Sequence, residues 1–311
     1  MGYLKKERVQ SRNHFRFDLV GVSILTSIFY PNQKDTSVIH SPTILLFSFF
    51  LSPGLLFGNL PKQATTQSVS SRKGKLWKKF FGSHQGCFLL YDLKKRKFTY
   101  QTGGATCRKR FSPCSTYKIP HTLIALESKV IKHPDQILTW DGKKRFYKAW
   151  NRSHSLRSAF RYSVVWAYQK IAKRIGRKRM VHWLRTIQYG NQHIEGPIHT
   201  FWLRNSLRIS PMEQLRFLEK LNDNKLAFSA KSMKLVKEVM IWKKTKHGML
   251  QGKTGSQWIR GMWKLGWFVG YVTWKSKKFI VVTLIHKGKK PRGPKARRIT
   301  RRVLKEWGIQ L

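Results

Sequence analysis

The order of strand-like and helix-like segments constrains the fold of this chain more than any other feature. Strand patterns with turn residues between them occur in two groups, and apolar positions at helical spacing lie between the groups. The order along the chain is strands at 86–92 and 97–100, helices at 115–129 and about 156–240, strands at 248–253, 265–274 and 278–285, and a helix at about 295–307. This order predicts a sandwich-like α+β fold, with an antiparallel sheet flanked by helices and a mostly helical subdomain beside it.

The region before residue 76 differs in composition from the rest. An uncharged apolar run at 43–51, followed by Pro53 and Gly54, is too short for a confident membrane span and resembles the core of a signal peptide with basic residues upstream. A retained membrane anchor and a buried helix are the alternatives. We predict a basic leader with a signal peptide or membrane anchor at 1–62, a polar linker at 63–75 and a folded domain at 76–311. The leader would export the domain to the periplasm or cell envelope.

Ser115 and Lys118 lie three residues apart where the first predicted helix begins, so they share one helical face. A hydroxyl and an amine at this spacing form a nucleophile and a candidate base, the S-x-x-K pairing of serine acyl-transfer enzymes. The pattern alone is weak in a chain with 63 Lys and Arg residues, and Ser70 with Lys73 repeats it in a polar stretch. Motifs further along the chain decide its significance.

The charge of the chain is strongly positive, with 63 basic and 13 acidic residues and a net charge of +50. One interpretation is non-specific binding of a polyanion such as nucleic acid, anionic lipid or cell wall. The other is a solvated surface in a lysine-rich proteome, without a partner. No zinc-finger, RNA-recognition or basic-zipper motif accompanies the charge.

The three cysteines, Cys87, Cys107 and Cys114, are too few for a disulfide framework or a four-cysteine metal site. In an exported protein Cys107 and Cys114 could pair and leave Cys87 free. Three buried thiols are the alternative, and the sequence leaves both open.

Three further signals lie far from Ser115 in the chain. Ser163 stands at the start of an amphipathic helix, Tyr189 begins a Tyr-Gly-Asn turn, and Lys253 begins a Lys-Thr-Gly run at a strand end. Each has an ordinary structural explanation by itself: a helix-capping serine, a turn and a basic strand end. After an S-x-x-K motif, this order is the layout of penicillin-recognising serine acyltransferases.

More specifically, the chain resembles the class D β-lactamases, or oxacillinases, from about residue 77 to its end. The segments that carry the resemblance are 111–120, 140–142, 149–151, 162–165, 189–191, 201–203, 209–214, 252–255 and 266–270. The resemblance implies a β-lactamase/transpeptidase-like fold. It also implies hydrolysis of the β-lactam amide of penicillin-type antibiotics through an acyl-serine.

Carried over by position, the resemblance makes Ser115 the nucleophile and Lys118 the general base. In this family the lysine reacts with carbon dioxide, which would be the only cofactor, and becomes a carbamate. An amine among apolar groups loses its charge and can then add carbon dioxide. The resemblance places Trp202 to stabilise the carbamate, with Val165 and Leu203 as an apolar lid.

The remaining roles concern the substrate. Ser163 would relay a proton to the leaving nitrogen, and Lys253 with Thr254 would bind the substrate carboxylate. Backbone N–H groups of Ser115 and Ser256 would form the oxyanion hole. Tyr189 is a further predicted substrate-binding residue.

One position departs from the family pattern. Ala296 falls where the family carries a carboxylate-binding arginine on the last helix. We predict Arg297 as the substitute, with Lys295 as the alternative. Ser256 also replaces an aromatic residue found in many members.

The few carboxylates favour a lysine-derived base. Glu195 is the nearest to a motif, but no Glu-x-x-x-Asn arrangement of the class A type is present. No His-Glu-x-x-His motif occurs, and His193 and His199 are spaced wrongly for a helix-borne pair, so we predict no metal.

Two alternatives to a hydrolase remain. A penicillin sensor or transpeptidase-like protein would be acylated without turnover, and tyrosine within Ser-Thr-Tyr-Lys also occurs among sensors. A polyanion or nucleic-acid binder could use the same scaffold through its basic surface. The sequence predicts no oligomeric state.

Overall fold

The computed structural model describes residues 77–203 and 206–310. The predicted leader at 1–62, the linker at 63–75 and the second S-x-x-K pair, Ser70 and Lys73, lie outside these residues. Among the described helices, none has both the length and the apolar composition needed to cross a membrane.

The strands form a large antiparallel sheet and a short two-stranded one. In chain order they are β1 (Gln85–Asp92), β2 (Lys97–Thr102), β3 (Ile137–Leu138), β4 (His154–Ser155), β5 (Ile241–Thr245), β6 (Gly248–Ile259), β7 (Met262–Trp274) and β8 (Lys277–His286). The large sheet has the order β2-β1-β8-β7-β6-β5, and β3 pairs with β4. The first hairpin therefore lies directly against the last strand, within a single antiparallel sheet of the kind the sequence predicted.

The helices lie on both sides of this sheet. They are α1 (Lys118–Glu127), α2 (Leu156–Arg161), α3 (Val165–Ile175), α4 (Arg177–Thr186), α5 (Pro211–Asn222), α6 (Ala230–Val239) and α7 (Gly293–Glu306). Short 3-10 helices occupy Gly104–Cys107, Cys114–Tyr117 and Lys148–Trp150. The predicted α+β class with a helical middle is confirmed.

Alternation along β1 divides the core between two faces of the sheet, because successive strand residues point to opposite sides. Cys87 and Leu89 belong to the apolar cluster on the face covered by α1 to α6. Phe88 and Leu90 belong to the cluster on the other face, where α7 packs through Ile299 and neighbouring apolar residues. The sheet thus separates a helical subdomain from the terminal helix.

Helix α1 runs through the interior of the helical subdomain and contacts α3 and α6. Its residues from Lys118 to Leu126 are all buried. Pro120 is tolerated because the N–H groups of a first helical turn have no acceptor within the helix. The side chain of Lys118, at the first position of this helix, is therefore completely desolvated in the folded protein.

The segment at 257–263, which has no regular structure in the sequence prediction, continues the sheet as a hairpin. Strands β6 and β7 stay paired to Ile259 and Met262. The two residues between them, Arg260 and Gly261, both have positive φ, as a tight hairpin turn requires.

Neither alternative left open for the cysteines, a Cys107–Cys114 pair or three buried thiols, is correct. Cys87 on β1 forms a disulfide with Cys107, whose 3-10 helix contacts β1 and brings the two Cα atoms within 5.2 Å. Cys114 is a free, buried thiol beside Ser112. Pairing depended on the packing of a short helix against the sheet, which cysteine spacing does not encode.

Candidate active site

Ser115 lies in a tight turn between the sheet and α1. Cys114 has a positive φ of 50°, and the Thr116 hydroxyl donates to the Pro113 carbonyl at 2.7 Å. Strand β6 passes so closely that a Cβ at Gly255 would lie 2.9 Å from the Pro113 oxygen. Glycine in the Lys-Thr-Gly run therefore permits the strand to approach the nucleophile turn.

Lys118 lies one helical turn from Ser115 and donates from Nζ to the Ser115 Oγ at 3.0 Å. Its side chain is fully buried. Burial lowers the pKa of Lys118 from 10.5 to about 7, because desolvation disfavours the ammonium form, with a smaller opposing influence of Cys114. Near neutral pH the amine is available in its uncharged, nucleophilic and basic form.

Trp202 provides an unused hydrogen-bond donor within the aromatic cluster around Lys118. Its side chain is fully buried, and its Nε1 has no hydrogen-bond partner among the described residues. The indole stacks on Tyr117 at 5.7 Å between ring centroids and meets His121 at 5.1 Å. A buried N–H without an acceptor is costly, so this donor fits an anionic group that the protein atoms alone do not supply.

Ser163 occupies the turn between α2 and α3 with a left-handed backbone, at φ 59°. Helix α2, which ends two residues before Ser163, is close to the Lys-Thr-Gly strand, because Lys253 Nζ lies 5.6 Å from the ring centroid of Phe160. Val165, the first residue of α3, is half-buried, as is Leu203, which packs against the main core.

Lys253 is buried, and its Nζ donates to the Thr254 carbonyl at 3.2 Å. Burial holds the pKa of Lys253 well below its usual value, and the charges of Lys118 and Arg297 lower it further. Three basic side chains from three different elements thus lie near one another. The ion pairs of the described residues all lie elsewhere.

Strand β6 and the start of α7 fit tightly together. The Gly293 N–H donates to the Ser256 Oγ at 2.8 Å. A Cβ at Gly293 would lie 2.7 Å from the Gly255 carbonyl oxygen. The Ser256 side chain therefore anchors the terminal helix to the strand, in addition to the oxyanion role predicted for its backbone N–H.

Arg297 extends from α7 to a small cleft that Lys253 and Thr254 also line. Its guanidinium lies 4.0 Å from the ring centroid of Trp242. Ala296 is fully buried, whereas Lys295 donates from Nζ to the Lys289 carbonyl. Of the two predicted substitutes for the family's arginine, the structure brings only Arg297 to this cleft.

The structure buries the side chain of Tyr189, one of the predicted substrate-binding residues. Tyr189 is 1% exposed, and its hydroxyl donates to the Gln214 side chain at 3.4 Å within the core. Gly190 has a positive φ and lies against the backbone of Arg208. The Asn191 side chain donates to the Ser206 carbonyl and accepts from the Arg208 N–H, in the same neighbouring segment. The Tyr-Gly-Asn turn therefore joins two chain segments and faces the core.

Glu195 and His193 are exposed and form a pair at 3.5 Å. The His/Cys/Asp/Glu side chains at 77–203 and 206–310 form no cluster of three that could hold a metal ion.

The sequence analysis missed three residues of the site, His121, Trp242 and Arg161. His121 lies one turn beyond Lys118, a spacing that could have drawn attention to it. Trp242 lies in an unpredicted edge strand, where Arg161 donates to its carbonyl oxygen at 2.6 Å and stacks near its ring. An aromatic residue in a basic segment gives no sequence signal for this contact.

Comparisons with known proteins identify the family. A family model of the penicillin-binding protein transpeptidase domain matches residues 86–305. The probable beta-lactamase YbxI of Bacillus subtilis strain 168 is 42% identical over 230 residues, which are 74% of this chain and 83% of YbxI. The regulatory protein BlaR1 of Bacillus licheniformis is 37% identical over 228 residues, which are 73% of this chain and 37% of BlaR1.

A solved structure of a class D β-lactamase from Bacillus subtilis matches with a TM-score of 0.71 and 40% identity, over 75% of this chain and 95% of that one. The family-model match at residues 86–305 extends over the sheet and helices that build the site. The chain belongs to the penicillin-binding protein transpeptidase family and, within it, to the class D β-lactamases.

Proposed function

We propose that the protein hydrolyses the β-lactam amide of penicillin-type antibiotics, with Ser115 as nucleophile and carboxylated Lys118 as general base. The contact that carries this proposal is the 3.0 Å hydrogen bond from the Lys118 amine to the Ser115 hydroxyl at a fully buried lysine. A base within hydrogen-bond reach of the nucleophile is the first requirement for serine acyl transfer.

The residues around Lys118 suit a carbamate. Addition of carbon dioxide to the amine forms one N–C bond and releases one proton to solvent. The resulting carbamate would provide an anionic oxygen as the base. The lowered pKa of Lys118 supplies the neutral amine that this addition requires. The unpaired Trp202 N–H supplies a buried donor for the anion, and Val165 with Leu203 would exclude water from it.

Ser115 Oγ would attack the lactam carbonyl carbon, and the ring C–N bond would then break to leave an acyl-serine. Ser163, assisted by Lys253, would return the proton to the leaving nitrogen. The N–H groups of Ser115 and Ser256 would stabilise the oxyanion. Water activated at Lys118 would release the acid and restore the Ser115 hydroxyl.

The cleft beside the K-T-G strand would bind the carboxylate that penicillins carry. Thr254, Lys253 and Arg297 line it, and the described ion pairs include no carboxylate bound to these two cations. A substrate anion would therefore meet unpaired positive charge in a partly desolvated site.

A chromogenic cephalosporin followed by absorbance, with an intact mass of the same sample, tests the proposal. Many turnovers with little mass adduct are expected from a hydrolase. Ser115→Ala should lose both turnover and covalent labelling, whereas persistent labelling would place the nucleophile elsewhere. Bicarbonate added after carbon dioxide removal should stimulate the parent but not Lys118→Ala, and a parent indifferent to bicarbonate would contradict the carbamate.

A penicillin-binding sensor is the second candidate, favoured by the 37% identity to the regulatory protein BlaR1. In that case one equivalent of product would be released and a stable acyl adduct would remain on Ser115. The same mass measurement separates the two functions, because a hydrolase returns to its unmodified mass after the substrate is consumed.

Localisation in the envelope and binding to polyanions are separate proposals, supported by the apolar run at 43–51 and the charge of +50. Fractionation of producing cells tests the first. The second requires binding to DNA or anionic polymer that survives physiological salt, because purely electrostatic binding falls steeply with added salt.

A further inference from the structure

We propose that His121 is a positioning residue that donates a hydrogen bond to the carboxylated Lys118, as a second donor beside Trp202. The inference rests on the proposed function, because it concerns the same carbamate. It assigns a role to a side chain that neither the S-x-x-K motif nor the K-T-G strand includes.

The geometry places the imidazole beside the amine. His121 follows Lys118 by three residues in α1, so the two side chains share one helical face. The Tyr168 ring is 5.0 Å from Lys118 Nζ and 5.2 Å from the His121 ring, and the Trp202 ring is 5.1 Å from His121. The amine, the imidazole and the indole therefore belong to one buried aromatic cluster.

The imidazole is held in place without any polar partner. His121 is fully buried, and neither Nδ1 nor Nε2 has a hydrogen-bond partner among the described residues. Tyr117, Tyr168 and Trp202 surround the ring at centroid distances of 5.1 to 5.3 Å. A histidine that served only to fill space would leave two buried polar atoms unsatisfied, which an aromatic hydrocarbon side chain avoids.

The protonation state is consistent with a neutral donor. Burial lowers the pKa of His121 to about 3, and the charge of Lys118 lowers it further. A neutral imidazole has one N–H donor and one acceptor nitrogen. One new anion at Lys118 would thus satisfy the His121 N–H and the Trp202 N–H together.

Carbon-13 NMR of the full-length protein, titrated with labelled bicarbonate, measures the carbamate directly and independently of catalysis. Lys118→Ala gives the baseline from other amines. His121→Phe keeps the ring volume but removes the N–H, so the affinity of Lys118 for carbon dioxide should fall at least about tenfold, the effect of losing a hydrogen bond to a charged group. An unchanged midpoint in His121→Phe overturns the inference.

Two amide variants test for the donor itself. His121→Asn places an N–H near the Nδ1 position and His121→Gln places one near Nε2, and one of them should restore most of the lost affinity. Failure of both, with His121→Phe weakened, would make the effect one of packing and overturn the donor role. Tyr168→Phe is the matched control, because it alters the same aromatic cluster on α3 while keeping the ring beside Lys118, and its midpoint should stay at the parent value.

The free energy of unfolding in urea without carbon dioxide separates a donor role from a structural role of His121. The two roles predict changes of opposite sign in His121→Phe. His121→Phe should be at least as stable as the parent there, since it removes two unsatisfied polar atoms. A marked loss of stability would show that the imidazole supports the fold itself and contradict the inference. If the parent gives no carbamate signal above Lys118→Ala, the proposed carbamate fails and this inference fails with it; a parent signal with no change in His121→Phe refutes only the role of His121.

Discussion

Replacing Lys118 with methionine should stabilise the fold near neutral pH. The amine is fully buried, its hydrogen bond is to Ser115, and none of the described ion pairs includes it. Such an amine has to lose its proton when the chain folds, and that loss costs free energy wherever the unfolded lysine is protonated. Methionine fills a similar volume without this cost.

The size of the effect follows from the two pKa values of Lys118. The difference between 10.5 and about 7 corresponds to about 5 kcal/mol at about 1.4 kcal/mol for each pH unit. Because the folded pKa is the lower one, the unfolded chain binds more protons between these values and stability rises with pH there. The full penalty applies below pH 7, about 3 kcal/mol remains at pH 8, and it disappears above pH 10.5.

Urea unfolding of the full-length protein in carbon-dioxide-free buffer at pH 7 and pH 10 measures this. After about 1 kcal/mol for the lost hydrogen bond to Ser115, Lys118→Met should exceed the parent by about 3 kcal/mol at pH 7 and by less than about 1 kcal/mol at pH 10. Lys231→Met, at an exposed position of α6, is the control and should change little at either pH.

The pH dependence separates titration from packing, because the apolar contacts of methionine contribute equally at both pH values. A difference between Lys118→Met and the parent that is the same at pH 7 and pH 10 would refute the conclusion that burial keeps this amine neutral. Greater stability of the parent at pH 7 would refute it as well.

Three further predictions address binding, the disulfide and pH. Arg297→Ala should raise the KM for carboxylate-bearing β-lactams about tenfold with little change in kcat, whereas Arg298→Ala, exposed on the same helix, should change neither in steady-state kinetics. Replacing Cys87 and Cys107 with serine should lower the free energy of unfolding in urea by about 3 kcal/mol. Reductant should lower the unfolding free energy of the parent but not that of the variant. Protonation of Lys118 should lower kcat/KM about tenfold per pH unit below about pH 7; a flat profile down to pH 5.5 would contradict this.

The parts of the fold that the sequence predicted depend on local patterns. The hairpin of β1 and β2 and the placement of Ser115 and Lys118 on one turn follow from alternation and helical spacing. Strand β5 was missed because it is mostly exposed and basic, so no apolar alternation marks it. Its Trp242 lies at the site only through tertiary contacts with Arg161 of α2 and Arg297 of α7.

The features of the site that the sequence did not reveal share a physical cause. Which side of a turn faces the core depends on what packs against it, so the Tyr-Gly-Asn motif could not reveal that the Tyr189 ring is buried. The choice between Lys295 and Arg297 depended on the docking angle of α7, which Gly293 and Ser256 fix against β6. Pairing of Cys87 with Cys107 likewise depended on the packing of the 3-10 helix against β1.

The charges at the site lead to a last prediction, that carbon dioxide and substrate strengthen each other's binding. Lys253 has a lowered pKa partly because Lys118 and Arg297 repel its positive form. A negative charge at Lys118 reverses the first of these effects, so it should restore the ammonium form of Lys253 that attracts a substrate carboxylate.

By linkage, a bound carboxylate must then favour the negative form of Lys118 by the same factor. The full-length Ser115→Ala variant allows the test, because it should bind penicillin without acylation. Saturating penicillin should lower the bicarbonate concentration at half-maximal carbamate signal in carbon-13 NMR, and saturating bicarbonate should lower the Kd for penicillin equally. Lys253→Met should abolish the coupling, because the two anions then no longer share a titrating cation. If penicillin leaves the bicarbonate midpoint of Ser115→Ala unchanged, the protonation state of Lys253 does not depend on the charge at Lys118. The two anion sites would then act independently.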